Sequence, residues 1–164
     1  MTNPIFRPAT NTDLPAIVAL LADDALGQAR EDPGPILNPR YQAAFAAIAR
    51  DPNQLLAVVE EDGAVIGCLQ LSFIPGLSRL GMWRGQIESV RIAAARRGGG
   101  LGRRMFAWAI AECRQRGCGL VQLTTDKTRA DAHRFYESLG FVASHDGMKL
   151  NLSIVDTEKY TTTI

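Results

Sequence analysis

The sequence RRGGGLGRRM, residues 96–105, places four glycines between two pairs of arginines near the middle of a 164-residue chain. The run before it, QIESVRIA (86–93), is typical of a strand, and apolar side chains recur at helical spacing after it. Glycine has no Cβ, so a ligand can approach its backbone closely. The first N–H groups of a helix have no intrahelical acceptor and carry the positive end of its dipole. The stretch therefore predicts a strand–loop–helix corner that binds an anion, above all a phosphate.

Other phosphate-binding motifs differ from this stretch in their spacing. A Walker loop ends in Gly-Lys-Ser/Thr, but here the chain reads Gly102-Arg103-Arg104, which argues against a nucleotide triphosphatase. A dinucleotide fingerprint requires G-x-G-x-x-G, and Arg103 stands in place of its third glycine. A nucleic-acid patch is disfavoured because no aromatic residues interleave the arginines. A flexible turn with solvated arginines remains the alternative on composition alone.

Composition indicates one domain over residues 1–164, with a polar tail from residue 155. The 18 basic and 17 acidic side chains leave a formal charge of +1, so neither nucleic acid nor a membrane is expected as a partner. The start lacks the pattern of a signal peptide, which predicts a cytoplasmic location. Cys68, Cys113 and Cys118 lack metal-ligand spacing, so we expect free thiols in a reducing compartment and no metal site.

Hydrophobic periodicity predicts a chain of alternating strands and helices. A hairpin followed by strand–helix–strand–helix–strand predicts an α+β fold whose sheet mixes antiparallel and parallel pairs. Gly140 is the predicted end of the last helix. The predicted elements are a strand at 4–8, a helix at 12–27, a loop at 30–39, a helix around 41–48, a hairpin at 55–74 turning at Asp62-Gly63, a strand at 86–93, a helix from 101 to 113, a strand at 120–125, a helix at 132–139 and closing strands at 141–144 and 148–154.

Two segments together resemble the GNAT superfamily of N-acetyltransferases. Residues 97–102, RGGGLG, match its R/Q-x-x-G-x-G/A signature. AHRFYESLGF (132–141) matches its A-x-x-F-Y-x-x-x-G-F segment at the expected distance. The resemblance implies a three-layer α/β/α fold with about six to seven strands and about four helices. In that fold the central parallel strands of a strongly twisted, mixed sheet splay apart into a V.

The resemblance also implies acetyl-CoA as the cosubstrate, lying in this cleft without a metal. Its pyrophosphate would rest on the amides of residues 98–103, and its pantetheine arm would pair with the backbone of Val90 and Ile92. Many members carry Asn where this chain has Arg129, which could reach a CoA phosphate or face solvent. The residues implied in cosubstrate binding are Val90, Ile92, Arg97, Gly98, Gly99, Gly100, Leu101, Gly102, Arg103, Arg129, Ala132 and Phe135.

Glu88 is the candidate general base. An alkylamine arrives protonated and becomes nucleophilic only after it loses a proton. Strict alternation along the strand places Glu88, Val90 and Ile92 on one face, where apolar neighbours would increase the basicity of the carboxylate. In some family members a related Glu serves as the base, usually through water. The alternatives are a structural carboxylate paired with Arg84 or Arg91, or a β-bulge that turns Glu88 elsewhere.

Tyr136 is the candidate general acid. The departing CoA thiolate leaves more easily when it is protonated, and Tyr136 matches the family's tyrosine whose hydroxyl approaches the sulfur. Periodicity alone would instead assign it to an apolar helix stripe with Ala132, Phe135 and Leu139. The motif match favours the catalytic role.

The sequence as a whole predicts an N-acetyltransferase that moves the acetyl group of acetyl-CoA to a small primary amine by direct attack. One alternative is a non-catalytic acyl-CoA-binding or regulatory module with the same fold. Another is an enzyme that acetylates a protein lysine or N-terminus. Dimers are frequent in the family, so a homodimer is a further expectation. The identity of the acceptor amine is not readable from these patterns.

Overall fold

The computed structural model describes residues 3–23, 28 and 30–152. The chain forms two compact units, which divide after Thr124. The second unit contains α5 (Ala130–Glu137). The first contains β1 (Ile5–Pro8), a 3-10 turn (Asn11–Asp13), α1 (Leu14–Ala22), α2 (Pro39–Arg50), β2 (Gln54–Glu61), β3 (Ala64–Ile74), the short helical turn α3 (Ser78–Gly81), β4 (Trp83–Ile92), a 3-10 turn (Ala94–Arg96), α4 (Leu101–Gln115) and β5 (Cys118–Leu123).

The first unit is built on a five-stranded sheet in the order β1-β2-β3-β4-β5. Its first four strands are antiparallel neighbours, whereas β4 and β5 are parallel. The turn between β2 and β3 falls at Asp62-Gly63, where both φ angles are positive, at 50° and 78°. This dipeptide favours such a turn because both residues tolerate the left-handed region. The mixed sheet and the hairpin predicted from the sequence are confirmed.

Helix α4 covers one face of the sheet, called here the α4 face. A Cβ added at Gly85 of β4 would lie 2.3 Å from Sγ of Cys113, so only glycine lets α4 approach this closely. Gly67 of β3 likewise faces Met105 of α4. The core on this side is well packed, as interiors generally are. The buried apolar side chains that β3, β4 and α4 contribute on this side are Leu69, Leu71, Phe73, Ile87, Leu101, Met105, Phe106, Ala109 and Cys113.

The opposite face of the sheet, called here the α1 face, carries α1 and α2. Helix α1 packs on β3 and β4, and α2 packs on β2. Ile17 and Leu20 of α1 form a buried cluster with Val58 and Cys68. Further along the strands, away from α1, the side chains on this face are half-buried instead of fully buried. The two faces therefore differ in kind: one is a packed core, and the other leaves part of the sheet accessible.

The predicted closing strands are not found. Residues 141–152 form no strand, and residues 153 and 154 lie outside the described residues. Met148, Leu150 and Leu152 do alternate with polar residues, but their side chains are 97%, 62% and 80% exposed. A strand also needs a neighbour for its backbone groups, which alternation alone does not provide. The described part of the chain thus has five strands where about six to seven were expected.

The first predicted helix is shorter than expected within the described residues. A 3-10 turn occupies Asn11–Asp13, and α1 runs over Leu14–Ala22. Residues 24–27 of the predicted helix, and the predicted polar tail at 155–164, lie outside the described residues. Across the described ranges, no helix combines the length and the apolar character needed to cross a membrane.

A bidentate ion pair fixes the start of α1 to the sheet. Both terminal nitrogens of Arg7 in β1 bind the Asp13 carboxylate, at 2.7 and 2.9 Å, and its Nε donates to Glu60 of β2. The backbone N–H of Thr10 donates to the same carboxylate at 2.7 Å. Asp13 is only 7% exposed. Its pKa lies far below the usual range, chiefly because Arg7 hydrogen-bonds the charged form.

We expect Asp13→Asn to lower the free energy of unfolding at pH 7 by about 1–3 kcal/mol, because it removes one of the two carboxylates that bind Arg7 and replaces charge-assisted hydrogen bonds with neutral ones. The folded-state pKa of Asp13 is depressed, so its stabilisation is present above the unfolded pKa of about 3.9 and is lost as the pH falls below it. Urea unfolding at pH 7 and pH 3 measures both points. Asp131→Asn, at an exposed pair with Arg134, is the control and should change nothing measurable. A variant deficit as large at pH 3 as at pH 7 would contradict the ionic account.

Candidate active site

Strands β4 and β5 part halfway along β4. Their parallel pairing ends at Ile87 and Leu123. Strand β4 continues to Ile92, and among the described residues this second half pairs only with β3. The backbone of residues 88–92 therefore has no strand partner on its β5 side within that part of the chain. This fork corresponds to the V-shaped opening implied by the family resemblance.

A β-bulge interrupts β4 just beyond the fork. Ser89 and Val90 together oppose the single residue Leu69 of β3. Ser89 has a φ of +54°, in the left-handed region that a residue other than glycine seldom occupies. Its carbonyl oxygen accepts a hydrogen bond from the Cys68 thiol at 3.7 Å. Burial raises the pKa of that thiol to about 12, so the thiol stays protonated and able to donate at neutral pH.

The bulge changes which side chains share a face with Glu88. The prediction that Glu88, Val90 and Ile92 lie on one face is wrong. Glu88 is in register with Gln70, two residues along β3 from Cys68 and therefore on the α1 face. Ile92 is in register with Gly67, which faces α4. The extra residue of the bulge accounts for the change, since a shift of one residue reverses the side-chain direction.

Glu88 is exposed, and its carboxylate forms no hydrogen bond or ion pair with any described residue. The apolar surroundings predicted for it are not found, because its cross-strand neighbour is Gln70. The alternative of a structural ion pair is not found either, since neither Arg84 nor Arg91 binds it. Arg91 instead donates to the Val90 carbonyl at 2.9 Å. Glu88 thus stands as an accessible carboxylate one residue beyond the fork.

The glycine-rich corner is open in front of α4. Gly98 and Gly100 have φ angles of 81° and 79°, which glycine adopts without strain. A Cβ at Gly98, Gly99 or Gly100 would meet nothing within 4 Å, so the space before the backbone is free of protein. Gly100 is the N-cap of the 15-residue helix α4, and the first helical bond runs from Arg104 N–H to its carbonyl. A bare helix start with this much room fits a diphosphate.

The arginines before the corner are engaged with other parts of the first unit. Arg97 Nη2 binds the Asp23 carboxylate at the end of α1 at 2.8 Å, and Arg97 Nε donates to the Ile92 carbonyl at 2.9 Å. Arg96 pairs with Glu61 at the end of β2. These contacts fix the loop against α1 and both strands. Whether Arg97 also contacts the cosubstrate stays a prediction.

Tyr136 lies near the end of α5, in the second unit. Its ring meets Phe135 and Phe141 edge-on, with centroids 5.6 and 6.2 Å away. Gly140 follows the helix with a φ of 90° and ends it, as predicted. Tyr136 is half-buried, which is compatible with either role considered for it.

The other implied cosubstrate residues of the second unit flank Tyr136 on α5. Arg129 is the N-cap of α5 and is exposed, and its backbone N–H binds the Asp126 carbonyl at 3.1 Å. Ala132 and Phe135 are half-buried on the helix. Their contribution to cosubstrate binding stays a prediction.

A line of polar side chains across the sheet was missed by the sequence analysis. Gln54, Ser72, Gln86 and Gln122 are in mutual register on four adjacent strands, β2 to β5. They form what is called here the polar row. Each lies on the α1 face, because Ser72 is four residues from Cys68 along β3. The available signal was a glutamine or serine at an inward position of each otherwise apolar strand, which no single strand makes conspicuous.

The three cysteines are free. Cys68 and Cys113 are buried, as expected of small apolar side chains, and Cys118 is half-buried. In the described ranges no group of three or more His, Cys, Asp or Glu side chains could hold a metal ion.

Comparison with known proteins decides the family. Residues 17–141, most of the chain, match the model of the acetyltransferase (GNAT) family. The chain belongs to the GNAT family. The match contains the fork, the bulge, the glycine-rich corner and the Tyr136 segment. The resemblance inferred from the two short motifs is therefore confirmed, and this GNAT protein is an acyltransferase.

Three similar proteins match different shares of this chain. The aminoalkylphosphonate N-acetyltransferase of Salmonella typhimurium is 32% identical over 139 residues, which are 85% of each chain. The glucosamine 6-phosphate N-acetyltransferase of Trypanosoma brucei brucei is 33% identical over 90 residues, 55% of this chain and 59% of that one. The crystal structure of a transcriptional regulator from Bacillus halodurans C-125 has 46% identity and a TM-score of 0.89, and the match covers 92% of this chain and 100% of that one.

The bulge predicts opposite effects for two substitutions at one position. Ser89→Gly should raise the free energy of unfolding by about 0.5–1 kcal/mol, because glycine occupies the left-handed region without strain. Ser89→Val should lower it by at least about 1 kcal/mol, because a branched Cβ is least tolerated there. Urea unfolding of both variants measures whether each substitution raises or lowers the free energy of unfolding. If valine were tolerated as well as glycine, β4 would not be bulged at this residue.

Proposed function

We propose that this GNAT protein transfers the acetyl group of acetyl-CoA to the primary amine of a small acceptor that also carries a phosphorus oxyanion. Acetyl-CoA supplies an acetyl group activated as a thioester. The single observation that carries the proposal is the conjunction of the open glycine corner with the fork between β4 and β5. The corner fits a diphosphate, and the unpaired edge of β4 fits an extended arm, so one elongated cosubstrate can use both.

The acceptor class is taken from the two curated relatives. One is named for aminoalkylphosphonates and the other for glucosamine 6-phosphate. Both compound classes combine a primary amine with a phosphonate or phosphate group. The acceptor proposed for this chain is therefore a small amine with an anionic phosphorus group, and not a protein lysine.

The chain's own groups account for the proton that the amine loses. Glu88 accepts this proton, directly or through one water, and the neutral amine then attacks the acetyl carbonyl carbon. The N–H of Val90, on the unpaired edge of the bulge, polarises the carbonyl oxygen and stabilises the negative charge that develops there. A carboxylate that makes no ion pair within the described part of the chain suits a base that must take up and release protons in each cycle.

The second proton goes to the leaving group. A carbon–nitrogen bond forms as the carbon–sulfur bond breaks, and the electron pair leaves with sulfur. Tyr136 donates its hydroxyl proton to that sulfur, so the products are the amide and the free thiol of CoA. This assignment of Tyr136 rests on its place in the F-Y-x-x-x-G-F motif.

The direct test of the function is release of free thiol from acetyl-CoA with a panel of amines. We expect thiol release that depends on the amine and is fastest with phosphonate- or phosphate-bearing amines. Binding of CoA without thiol release from any amine would reject the enzymatic proposal in favour of a non-catalytic CoA-binding module. Faster acetylation of peptide lysines or N-termini than of any small amine would reject the acceptor class.

Gly100→Glu should weaken CoA binding at least about 100-fold, because a carboxylate in the corner repels the diphosphate and fills its space. Isothermal titration calorimetry with CoA measures the affinity. Gly100→Asn tolerates the left-handed backbone without adding charge, so it should weaken binding much less. Gly147→Glu adds the same charge at a glycine whose Cβ would also meet nothing within 4 Å, and it should leave the affinity unchanged. CoA affinity within threefold of wild type in Gly100→Glu would exclude the corner as the binding site.

Glu88→Gln and Tyr136→Phe should each lower kcat by about 100-fold at pH 7 while leaving the KM for acetyl-CoA within about threefold. The deficit of Glu88→Gln should shrink toward pH 10, where the amine loses its proton without help. The deficit of Tyr136→Phe should stay constant between pH 7 and about pH 8.5, where a tyrosine hydroxyl ordinarily keeps its proton, because the leaving thiolate still lacks a donor. Glu137→Gln, an exposed carboxylate next to Tyr136, serves as the control for both. A pH-independent deficit in Glu88→Gln would reject its role as the base.

A further inference from the structure

The polar row contrasts with its surroundings in the sheet. On the α4 face the side chains of the same strands are apolar and closed to solvent: Leu71, Phe73 and Ile87 are 0%, 2% and 2% exposed. On the α1 face the corresponding row consists of three amides and a hydroxyl, all half-buried. A sheet interior that only had to pack would bury apolar groups here, as it does around Cys68.

The side chains of the row form hydrogen bonds with one another and with Gln70, and they still have donors and acceptors available for a ligand. Gln54 Oε1 accepts hydrogen bonds from Gln70 Nε2 at 3.0 Å and from Ser72 Oγ at 2.8 Å. Gln86 Oε1 accepts one from Gln122 Nε2 at 2.8 Å. Each amide has two donors and two acceptor lone pairs, so these contacts fix the side chains and leave donors and acceptors available. Such a pre-oriented, half-exposed set suits hydroxyl groups of a ligand.

The row lies at the base of the fork. Gln86 and Gln122 are the last residues of β4 and β5 on this face before pairing ends at Ile87 and Leu123. Glu88, the next residue of β4 on the same face, lies just beyond it. The row therefore borders the point where the two strands open, on the face that also carries the accessible carboxylate.

A cation lies along β4 on the other side of the row from Glu88. Arg84 is two residues before Gln86 on β4, and it is in register with Ile74 and Leu120. Alternation places its side chain on the α1 face. It is half-buried and forms no ion pair with any described residue. An unpaired guanidinium flanked by apolar neighbours on both strands is a strong binder of a phosphorus oxyanion.

From this arrangement, and resting on the proposed function, we propose that Arg84 and the polar row form the acceptor floor, and that the acceptor is a hydroxylated amine with its phosphate or phosphonate at the far end from the amine. Arg84 binds the oxyanion, Gln86 and Gln122 bind hydroxyls in the middle, and Glu88 receives the amine. Along β4, the α1 face therefore carries a cation at Arg84, a neutral polar group at Gln86 and an anion at Glu88. A zwitterionic acceptor has the complementary order.

The spacing selects among acceptors of that class. Four residues of extended strand separate the Cα atoms of Arg84 and Glu88 by about 13 Å. Both side chains are long enough to shorten the gap between their charged groups by leaning inward. A ring-sized spacer between amine and phosphorus fits this gap better than a two-carbon spacer does. The floor therefore favours an amino-sugar phosphate over a short aminoalkylphosphonate.

Four probe amines separate the three features of the proposed acceptor. Glucosamine 6-phosphate has all of them, glucosamine lacks the anion, 6-aminohexyl phosphate lacks the hydroxyls, and 2-aminoethylphosphonate is short and unhydroxylated. We expect kcat/KM to be highest for glucosamine 6-phosphate and to fall about 100-fold when the anion is removed. A preference for 2-aminoethylphosphonate over glucosamine 6-phosphate would overturn the assignment of the row to hydroxyls.

Variants of Arg84 test the oxyanion contact. Arg84→Gln should raise the KM for phosphorylated acceptors at least about tenfold and leave kcat and the KM for acetyl-CoA within about twofold. Arg84→Lys should recover part of the loss, because it restores the charge but not the planar fork. Arg84→Glu should reverse the preference, from glucosamine 6-phosphate to glucosamine. Arg114→Gln removes the same charge from an exposed position on α4 and should change none of these constants.

Variants of the row test the hydroxyl contacts. Gln86→Met and Gln122→Met keep the side-chain length but remove the amide, so they should lower kcat/KM for glucosamine 6-phosphate about tenfold or more and leave 6-aminohexyl phosphate within about threefold. Equal losses with both acceptors would indicate a purely structural role and overturn this part of the proposal.

Failure of this inference is distinguishable from failure of the proposed function. Unchanged acceptor KM values in Arg84→Gln, with amine-dependent thiol release intact, would overturn the acceptor floor and leave the enzyme standing. If no amine released thiol, the enzymatic proposal would fall. Calorimetry of glucosamine 6-phosphate with CoA-bound protein would then still decide the floor: weaker binding by Arg84→Gln than by wild type supports it, and equal binding overturns it.

Discussion

The parting of β4 from β5 at Ile87 and Leu123 is the constraint on which the rest of the site depends. Had the two strands stayed paired, the second half of β4 would have no free edge. The glycine-rich corner before α4 would then have no open strand edge next to it. The bulge at Ser89 and Val90 follows immediately and increases the local twist, as bulges do, so it helps to carry β4 away from its neighbour. The Cys68 thiol satisfies the carbonyl that this distortion turns aside.

The parts of the fold that local signals specify were predictable. The Asp62-Gly63 hairpin depends on two residues that accept positive φ, and the glycine corner depends on four glycines placed between a strand and a helix. In both cases the evidence lies within a few adjacent residues. The order of strands and helices followed from periodicity, because each element must direct one apolar side toward the core.

The parts that depend on register were only partly predictable: a β-bulge in β4 was one alternative for Glu88, but its position was not. Whether Glu88 and Ile92 share a face depends on one additional residue in β4, which Ser89 does not signal because serine is not typical of left-handed backbone. The polar row exists only because Gln54, Ser72, Gln86 and Gln122 align across four strands. The strands expected after residue 140 are absent from the described residues for a related reason. Alternation of apolar and polar residues predicts a strand, but a strand forms only where a neighbouring strand accepts its backbone hydrogen bonds.

The bulge also gives a reason for two substrates to meet at one strand without competing for the same groups. In the proposed mechanism the free backbone edge of β4 beyond the fork binds the cosubstrate, while Arg84, Gln86 and Glu88, whose side chains lie on the α1 face, bind the acceptor. Arg97 connects the two regions, because its guanidinium binds both Ile92 at the end of β4 and Asp23 at the end of α1. In this proposal the backbone and the side chains of one strand thus serve different substrates, and the bulge at Ser89 and Val90 begins directly after the last acceptor residue, Glu88.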